Sequence, residues 1–254
     1  MFIFAQISDL HLDGGEHRAE RAERAERVMS HLNALPVALD AILVTGDIAD
    51  HGTEEEYEQA RKVLSSPYPL LTCPGNHDAR GPYTRILLGD GTEGPGAADP
   101  PPVNRVHRAA GAVFALCDST IPGHDHGFLT DETLAWLDGE LAAEPDVPAF
   151  VCFHHAPVPL HAPYVDGIRQ FGEERLAAVL ARHPQVAAVL CGHAHTAAAA
   201  TFAGRPLLVA PGVASRLVFP WRHGDLVDHG APPSVALHVL GEDRRLVTHY
   251  RAVV

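Results

Sequence analysis

The chain has 254 residues, 46% of them hydrophobic, so it can bury one large core, and a single α/β domain suits the length as well as two small ones. A formal net charge of −13 offers no basic surface to displace counterions from a phosphate backbone, which argues against a long nucleic acid as partner. No apolar run approaches the roughly 18 residues that span a bilayer, and the opening "MFIFAQI" lacks the basic region of a signal peptide, so the chain reads as soluble and cytoplasmic.

The first predicted strand, "FIFAQIS" (2–8), runs into "SDLHL", which carries Asp9 and His11. A helix follows over 18–35, and its "RAERAER" charge pattern reads as a solvated face. The second strand, "AILVTG" (41–46), ends in "GDIAD" with Asp47 and Asp50, and the helix "TEEEYEQARKVL" then starts with Thr53 as N-cap and Glu56 completing a capping box. The third strand, "YPLLTC" (68–73), ends in Asn76, His77 and Asp78. Gly75-Asn76 is also a good turn, and Asp78 suits an N-cap as well as a catalytic role. Residues 89–102, rich in Gly and Pro, are predicted as an irregular loop.

Further strands are predicted at "AVFALC" (112–117), "AFVCFH" (149–154), "VAAVLC" (186–191), "PLLVA" (206–210), "VALHVL" (235–240) and "RLVTHY" (245–250), with helices at "TDETLAWLDGELAA" and "EERLAAVLARH". Near-continuous apolar strands alternating with helices indicate an α/β core whose sheet is covered on both faces. The stretch 215–233 is predicted as a loop or lid near the site, within a single domain spanning 1–254. Cys73, Cys117, Cys152 and Cys191 occur singly inside apolar runs, which suits buried thiols in a reducing compartment rather than disulfides or structural zinc.

Metal-binding residue types recur at five strand ends: Asp9 and His11, Asp47 and Asp50, Asn76 and His77, His154 and His155, His193 and His195. Each alone is weak, since a lone His is more often a hydrogen-bonded neighbour and Gly-Asp is a common turn. Open α/β sheets bind ligands at the carboxyl ends of their strands, so the five endings are expected to converge. In an extended chain, residues two apart project to one side, so Asp9 with His11, and His193 with His195, can each offer two ligands together. Three or four imidazoles, two carboxylates and an amide oxygen exceed a single catalytic zinc site and fit two cations such as Mn, Fe or Zn sharing a carboxylate. Two cations about 3.5–4 Å apart are usual apparatus for displacement at phosphorus, with a bridging hydroxide as nucleophile.

In order and spacing, Asp9-x-His11, Gly46-Asp47-x-x-Asp50, Gly75-Asn76-His77-Asp78, His154 and Gly192-His193-x-His195 resemble the five motifs of the calcineurin-like metallophosphoesterases. "DSTIPGHDHGFLT" (118–130) adds a resemblance to the bacterial class III cyclic-nucleotide phosphodiesterases. The resemblance implies a layered β-sheet sandwich flanked by helices, with a dimetal site at the strand C-terminal ends. It implies that Asp9, His11 and His195 hold one metal, that Asn76, His154 and His193 hold the other, and that Asp47 bridges. His77 then contacts the substrate phosphate and protonates the leaving oxygen, with Asp50 orienting its ring, and a homodimer is implied as well. His51 stands where phosphoprotein phosphatases carry Arg, and "HHAPVP" lacks the two successive prolines frequent in the fourth motif.

His155 either reaches the site or packs beside it, and His124 and His126 either wall the pocket or occupy an exposed turn. His161, His223 and His229 read as exposed loop residues. The function expected is hydrolysis of a small phosphodiester such as a cyclic nucleotide. The alternatives are a glycerophosphodiesterase, a phosphomonoesterase or nuclease, and a metal-binding protein scaffold without catalysis.

Overall fold

Continuous apolar strands need cover on both faces, and the computed structural model, which describes residues 1–90, 100–218 and 225–254, supplies it. One sheet contains β1 (Phe2–Ile7), β2 (Ala41–Thr45), β3 (Leu70–Cys73), β14 (Ser234–Leu240) and β15 (Leu246–Ala252), in the order β15-β14-β1-β2-β3. The other contains β4 (Arg105–Ala109), β5 (Ala112–Leu116), β7 (Ala149–Cys152), β9 (Val186–Cys191), β10 (Ala198–Phe202) and β11 (Arg205–Val209), in the order β10-β11-β9-β7-β5-β4. Two small ribbons pair β6 (Gly127–Phe128) with β8 (Gln170–Phe171), and β12 (Arg216–Leu217) with β13 (Val227–Asp228).

The two sheets pack face to face through Phe4, Phe114 and Phe150, whose ring centroids lie 4.8–5.1 Å apart, together with Leu43, Cys73, Cys152 and Leu190. Helices α1 (Arg18–Asn33) and α2 (Glu54–Val63) cover the outer face of the first sheet with Val28, Leu32, Tyr57 and Ala60. Among the remaining helices, α3 (Arg80–Pro82) leads into a π-helical turn over Tyr83–Leu88, and α5 is Pro163–Gly167. The outer face of the second sheet is covered by α4 (Asp131–Ala143) and α6 (Glu173–Leu180) through Leu134, Leu137, Leu176 and Val179. The result is a layered β-sandwich flanked by helices, as the resemblance implied.

All nine predicted strands form, and the capping box holds, with Glu56 N–H donating to Thr53 Oγ1 and Thr53 N–H to Glu56 Oε2. The edge strands β4 and β10 escape the apolar criterion because their residues are mostly half-buried or exposed and draw their hydrogen bonds from a hairpin partner. The four cysteines are free and buried. The middle of the 89–102 loop, residues 91–99, lies outside the described residues, as do 219–224 with His223.

Strand direction positions the site. β1, β2 and β3 run parallel, as do β5, β7, β9 and β11. At their carboxyl ends the sheets are stitched together, the Ser8 hydroxyl donating to the Thr45 carbonyl and Gln6 Nε2 to the Cys191 carbonyl at 2.9 Å.

Candidate metal centre

The strands stop just before the residues of interest, β1 at Ile7 and β9 at Cys191. Asp9 (φ 57°), His11 (φ 46°), Asp47 (φ 49°), His193 (φ 68°) and His195 (φ 49°) all take left-handed backbone. The extended geometry expected of Asp9 with His11 and of His193 with His195 is therefore corrected. Each pair turns through two left-handed residues around one buried apolar residue, Leu10 or Ala194. Such conformers cost about 1–3 kcal/mol each and persist only where surroundings fix them, which concentrates them at functional sites. Here the fixing bonds run from Asp9 N–H to the Gly46 carbonyl at 3.1 Å, from His11 N–H to the Asp47 carbonyl at 2.9 Å and from His193 N–H to Asp9 Oδ1 at 3.1 Å.

Two of the motif glycines are needed for close approach. A Cβ on Gly46 (φ 87°) would lie 2.5 Å from His154 Nδ1, and one on Gly75 would lie 2.2 Å from Asp47 Oδ1. Any larger residue would push a predicted ligand out of place.

The predicted ligands from the two sheets meet. Donor atoms of Asp9, His11 and His195 lie within 4.8 Å of one another, as do those of Asp9, Asp47 and His154, and those of His154 and His193 lie equally close together beside the neighbouring His155. His11 Nε2 faces His195 Nε2 at 3.0 Å and Asp47 Oδ2 at 3.5 Å. His154 Nε2 faces the same Asp47 oxygen at 3.2 Å and His193 Nδ1 at 3.1 Å. Asp47 Oδ2 thus stands between two imidazole groups, while Oδ1 is held by the His77 N–H at 2.9 Å.

Tautomers follow from the partners. Carbonyl and carboxylate oxygens accept, so His154 Nδ1–H donates to the Thr45 carbonyl at 2.7 Å and His11 Nδ1–H to Asp50 Oδ1 at 2.8 Å. In their neutral form both rings then turn an Nε2 lone pair inward. His195 is oriented by Ser215, whose hydroxyl lies 2.8 Å from Nδ1. Burial pushes His193 down to about 3 and His195 down to about 4, so both imidazoles are neutral at physiological pH. Burial opposes charge on His154, yet the carboxylates of Asp47 and Asp9 outweigh it and raise the ring to about 9, marking a place where positive charge is favoured. Asp9 itself is pushed up to about 6 by burial, opposed by His154.

These residues fit a pair of cations on an independent ground. Buried polar atoms are hydrogen-bonded in the great majority of cases. Among the described residues five buried side-chain atoms lack a partner; three of them, Asp9 Oδ2, Asn76 Oδ1 and His193 Nε2, belong to the predicted ligand set, and the other two are Gln170 Oε1 and Arg205 Nε.

Other expectations are refined. Asp50 meets His77 through its carbonyl, which accepts from His77 Nδ1 at 2.8 Å; its carboxylate is taken by His11 and Arg21 and lies 3.8 Å from His77. The side chain of His77 is 41% exposed. Asp78 neither caps a helix nor faces the cluster. It accepts from Gly75, Ile48 and Ala49 N–H and from Tyr57 Oη, clamping the second and third motifs together. His155 packs: the Ser119 hydroxyl lies 2.8 Å from Nδ1, and Nε2 meets the Asp125 carbonyl at 3.1 Å. Both ring nitrogens are committed. His124 is exposed, with its ring against His126, and His126 in turn touches Phe171. His161 and His229 are exposed.

The "RAERAER" reading is corrected, because Arg21 and Arg24 turn inward. Arg24 donates to the Val213, His229 and Ala231 carbonyls, and Arg21 to the His11 carbonyl. Ser215 and Arg21 were missed because their partners lie 20 and 10 residues away, and neither residue type signals a ligand.

A family model for calcineurin-like phosphoesterases matches residues 2–197. The chain is 32% identical over 249 residues to the glycerophosphodiester phosphodiesterase GpdQ of Enterobacter lignolyticus, covering 93% of this chain and 86% of that one. It is 31% identical over 213 residues to the 3',5'-cyclic adenosine monophosphate phosphodiesterase CpdA of Escherichia coli, covering 81% of this chain and 74% of the relative. The crystal structure of a dimetal phosphatase from Danio rerio superposes with a TM-score of 0.71 at 16% identity, covering 100% of this chain and 96% of that one, a likeness of fold alone. No helix among the described residues is long and apolar enough to cross a membrane.

Proposed function

The chain belongs to the calcineurin-like phosphoesterase family and is a hydrolase, and we propose that it cleaves small phosphodiesters such as cyclic nucleotides. The observation that carries this reading is the single oxygen, Asp47 Oδ2, lying 3.5 Å from His11 Nε2 and 3.2 Å from His154 Nε2 between two ligand groups. Asp9, His11 and His195 would hold one cation, Asn76, His154 and His193 the other, and Asp47 both. The mixed nitrogen and oxygen donors suit Mn, Fe or Zn. Such a pair, when bound, polarises the phosphoryl oxygens and makes water acidic enough to attack phosphorus near neutral pH.

The chain's own residues do the rest. His77 donates from Nδ1 to the Asp50 carbonyl, which leaves Nε2 as the nitrogen that can meet substrate, on a partly exposed ring. From there it protonates the departing alkoxide oxygen of the ester. The neutral amide of Asn76 adds a donor without adding charge to the two buried carboxylates. The Ser215 hydroxyl, 2.8 Å from His195 Nδ1, ties the start of the 215–233 stretch to the site.

A diester is favoured because the similar glycerophosphodiester and cyclic-nucleotide enzymes both act on diesters. A glycerophosphodiester is the second reading, supported by the long alignment to GpdQ. The test is metal analysis paired with hydrolysis of bis-p-nitrophenyl phosphate and p-nitrophenyl phosphate, then of 3',5'-cyclic AMP and a glycerophosphodiester. Faster metal-dependent cleavage of the diester is expected. A preference for the monoester, or turnover indifferent to chelation, would overturn the proposal.

A further inference from the structure

Arg21 sits on the helix face that the charge pattern marks as solvated, yet its side chain is only 18% exposed. Its Nη1 lies 2.8 Å from the His11 carbonyl oxygen and 2.8 Å from Asp50 Oδ1. That Asp50 oxygen is the one that accepts from His11 Nδ1. The three residues form a closed triangle that grips His11 twice, at its ring and at its carbonyl.

Both grips are needed. His11 has φ 46°, a strained conformer for a residue with a Cβ. Its carbonyl direction, fixed by Arg21, is part of what holds that conformer. The Asp50 carboxylate also has a competing partner, since His51 Nδ1 lies 3.7 Å from Oδ2. Arg21 keeps Oδ1 on the His11 side. Outer partners of a ligating imidazole fix its ring direction and tautomer, and their removal typically weakens metal binding 10–100-fold.

Resting on the dimetal reading above, we infer that Arg21 is a positioning residue that sets the affinity of the cation held by Asp9, His11 and His195, and not of the cation held by Asn76, His154 and His193. Sign separates this role from plain electrostatics. Loss of a positive charge near two cations would tighten both sites. Loss of the triangle weakens one.

The experiment uses the full chain, stripped with a chelator and titrated with Mn(II) by calorimetry. The native chain should take up two equivalents. Arg21→Met should weaken one of them by roughly 10–100-fold and leave the other within about twofold. Arg21→Lys, which keeps the charge but not the planar fork, should fall between, and the same comparison can be made on it alone if Arg21→Met does not fold. Arg27→Met, which loses only an exposed pair with Glu23, should bind as the native chain does.

Two backgrounds assign the weakened equivalent. Added to His11→Ala, Arg21→Met should have no further effect; added to Asn76→Ala, it should weaken the single remaining site. Two unchanged, two equally weakened or two tightened equivalents in Arg21→Met would overturn this inference alone. A native chain that takes up no cation would overturn the dimetal reading and the inference with it.

Discussion

Two buried polar networks lie between the sheets, and they differ in how completely the protein satisfies them. In the first, Gln6 Nε2 donates to Thr45 Oγ1 and the Cys191 carbonyl, Gln6 Oε1 meets His238 Nε2 at 3.1 Å, and His238 Nδ1 lies 2.8 Å from Thr248 Oγ1. Every nitrogen and oxygen of those two side chains has a protein partner. In the second, at the carboxyl ends of the same strands, Asp9 Oδ2, Asn76 Oδ1 and His193 Nε2 have none, and five of its residues have left-handed backbone. A saturated network holds the sheets together. An unsaturated, strained one is built for something the chain does not itself supply.

The comparison predicts which substitutions lose function and which lose stability. Asp47→Asn should do most harm to function. It removes the charge of the oxygen that faces both His11 and His154, so metal analysis should find both cations lost and diester turnover at the buffer rate. Two cations retained in that variant would remove Asp47 from the shared position. His77→Ala should lower kcat by roughly 10²–10⁴, the weight of acid–base assistance, with two cations still bound. A variant that also loses its metals would make His77 a ligand instead.

Gln6→Met tests the other network. It keeps the volume but leaves His238 Nε2 unpaired in the core and strips the Cys191 carbonyl of one of its two donors, the Ala210 N–H remaining, which should cost about 1–3 kcal/mol of stability in urea unfolding. Metal content should stay at two. Loss of metal without loss of stability would erase the distinction between the networks.

These differences were legible in the sequence to unequal degrees. The five ligand-bearing strand ends stood out because Asp, Asn and His are costly at the end of a buried strand, as in "LLTCPGNHD", and because they repeated. The strands stood out for their unbroken apolar runs. Backbone hand did not show, because nothing local makes His11 or His195 left-handed; contacts such as the His11 N–H bond to the Asp47 carbonyl impose it. Arg21, Ser215 and Asp78 act through partners on other segments, so their types suggested a surface, a loop and a cap. Nor did "VALHVL" distinguish His238 from a ligand, since only its completed bonds to Gln6 and Thr248 do so.

His238 provides the subtlest test, because its effect is absent at neutral pH. Burial lowers its pKa from 6.5 to about 3, so the folded chain keeps it neutral while the unfolded chain protonates it below about 6.5. The unfolded state then binds more protons, and stability falls as pH drops from about 6.5 towards about 3, by up to about 1.4 kcal/mol for each pH unit. His238→Gln carries no titrating group and can still meet Gln6, so the difference in unfolding free energy between it and the native chain should narrow as the pH is lowered through that window. Other carboxylates and imidazoles titrate in both proteins and cancel in the difference. A difference that stays constant from pH 7 to pH 4 would mean that His238 accepts its proton in place, and that the saturated network is looser than its hydrogen bonds imply.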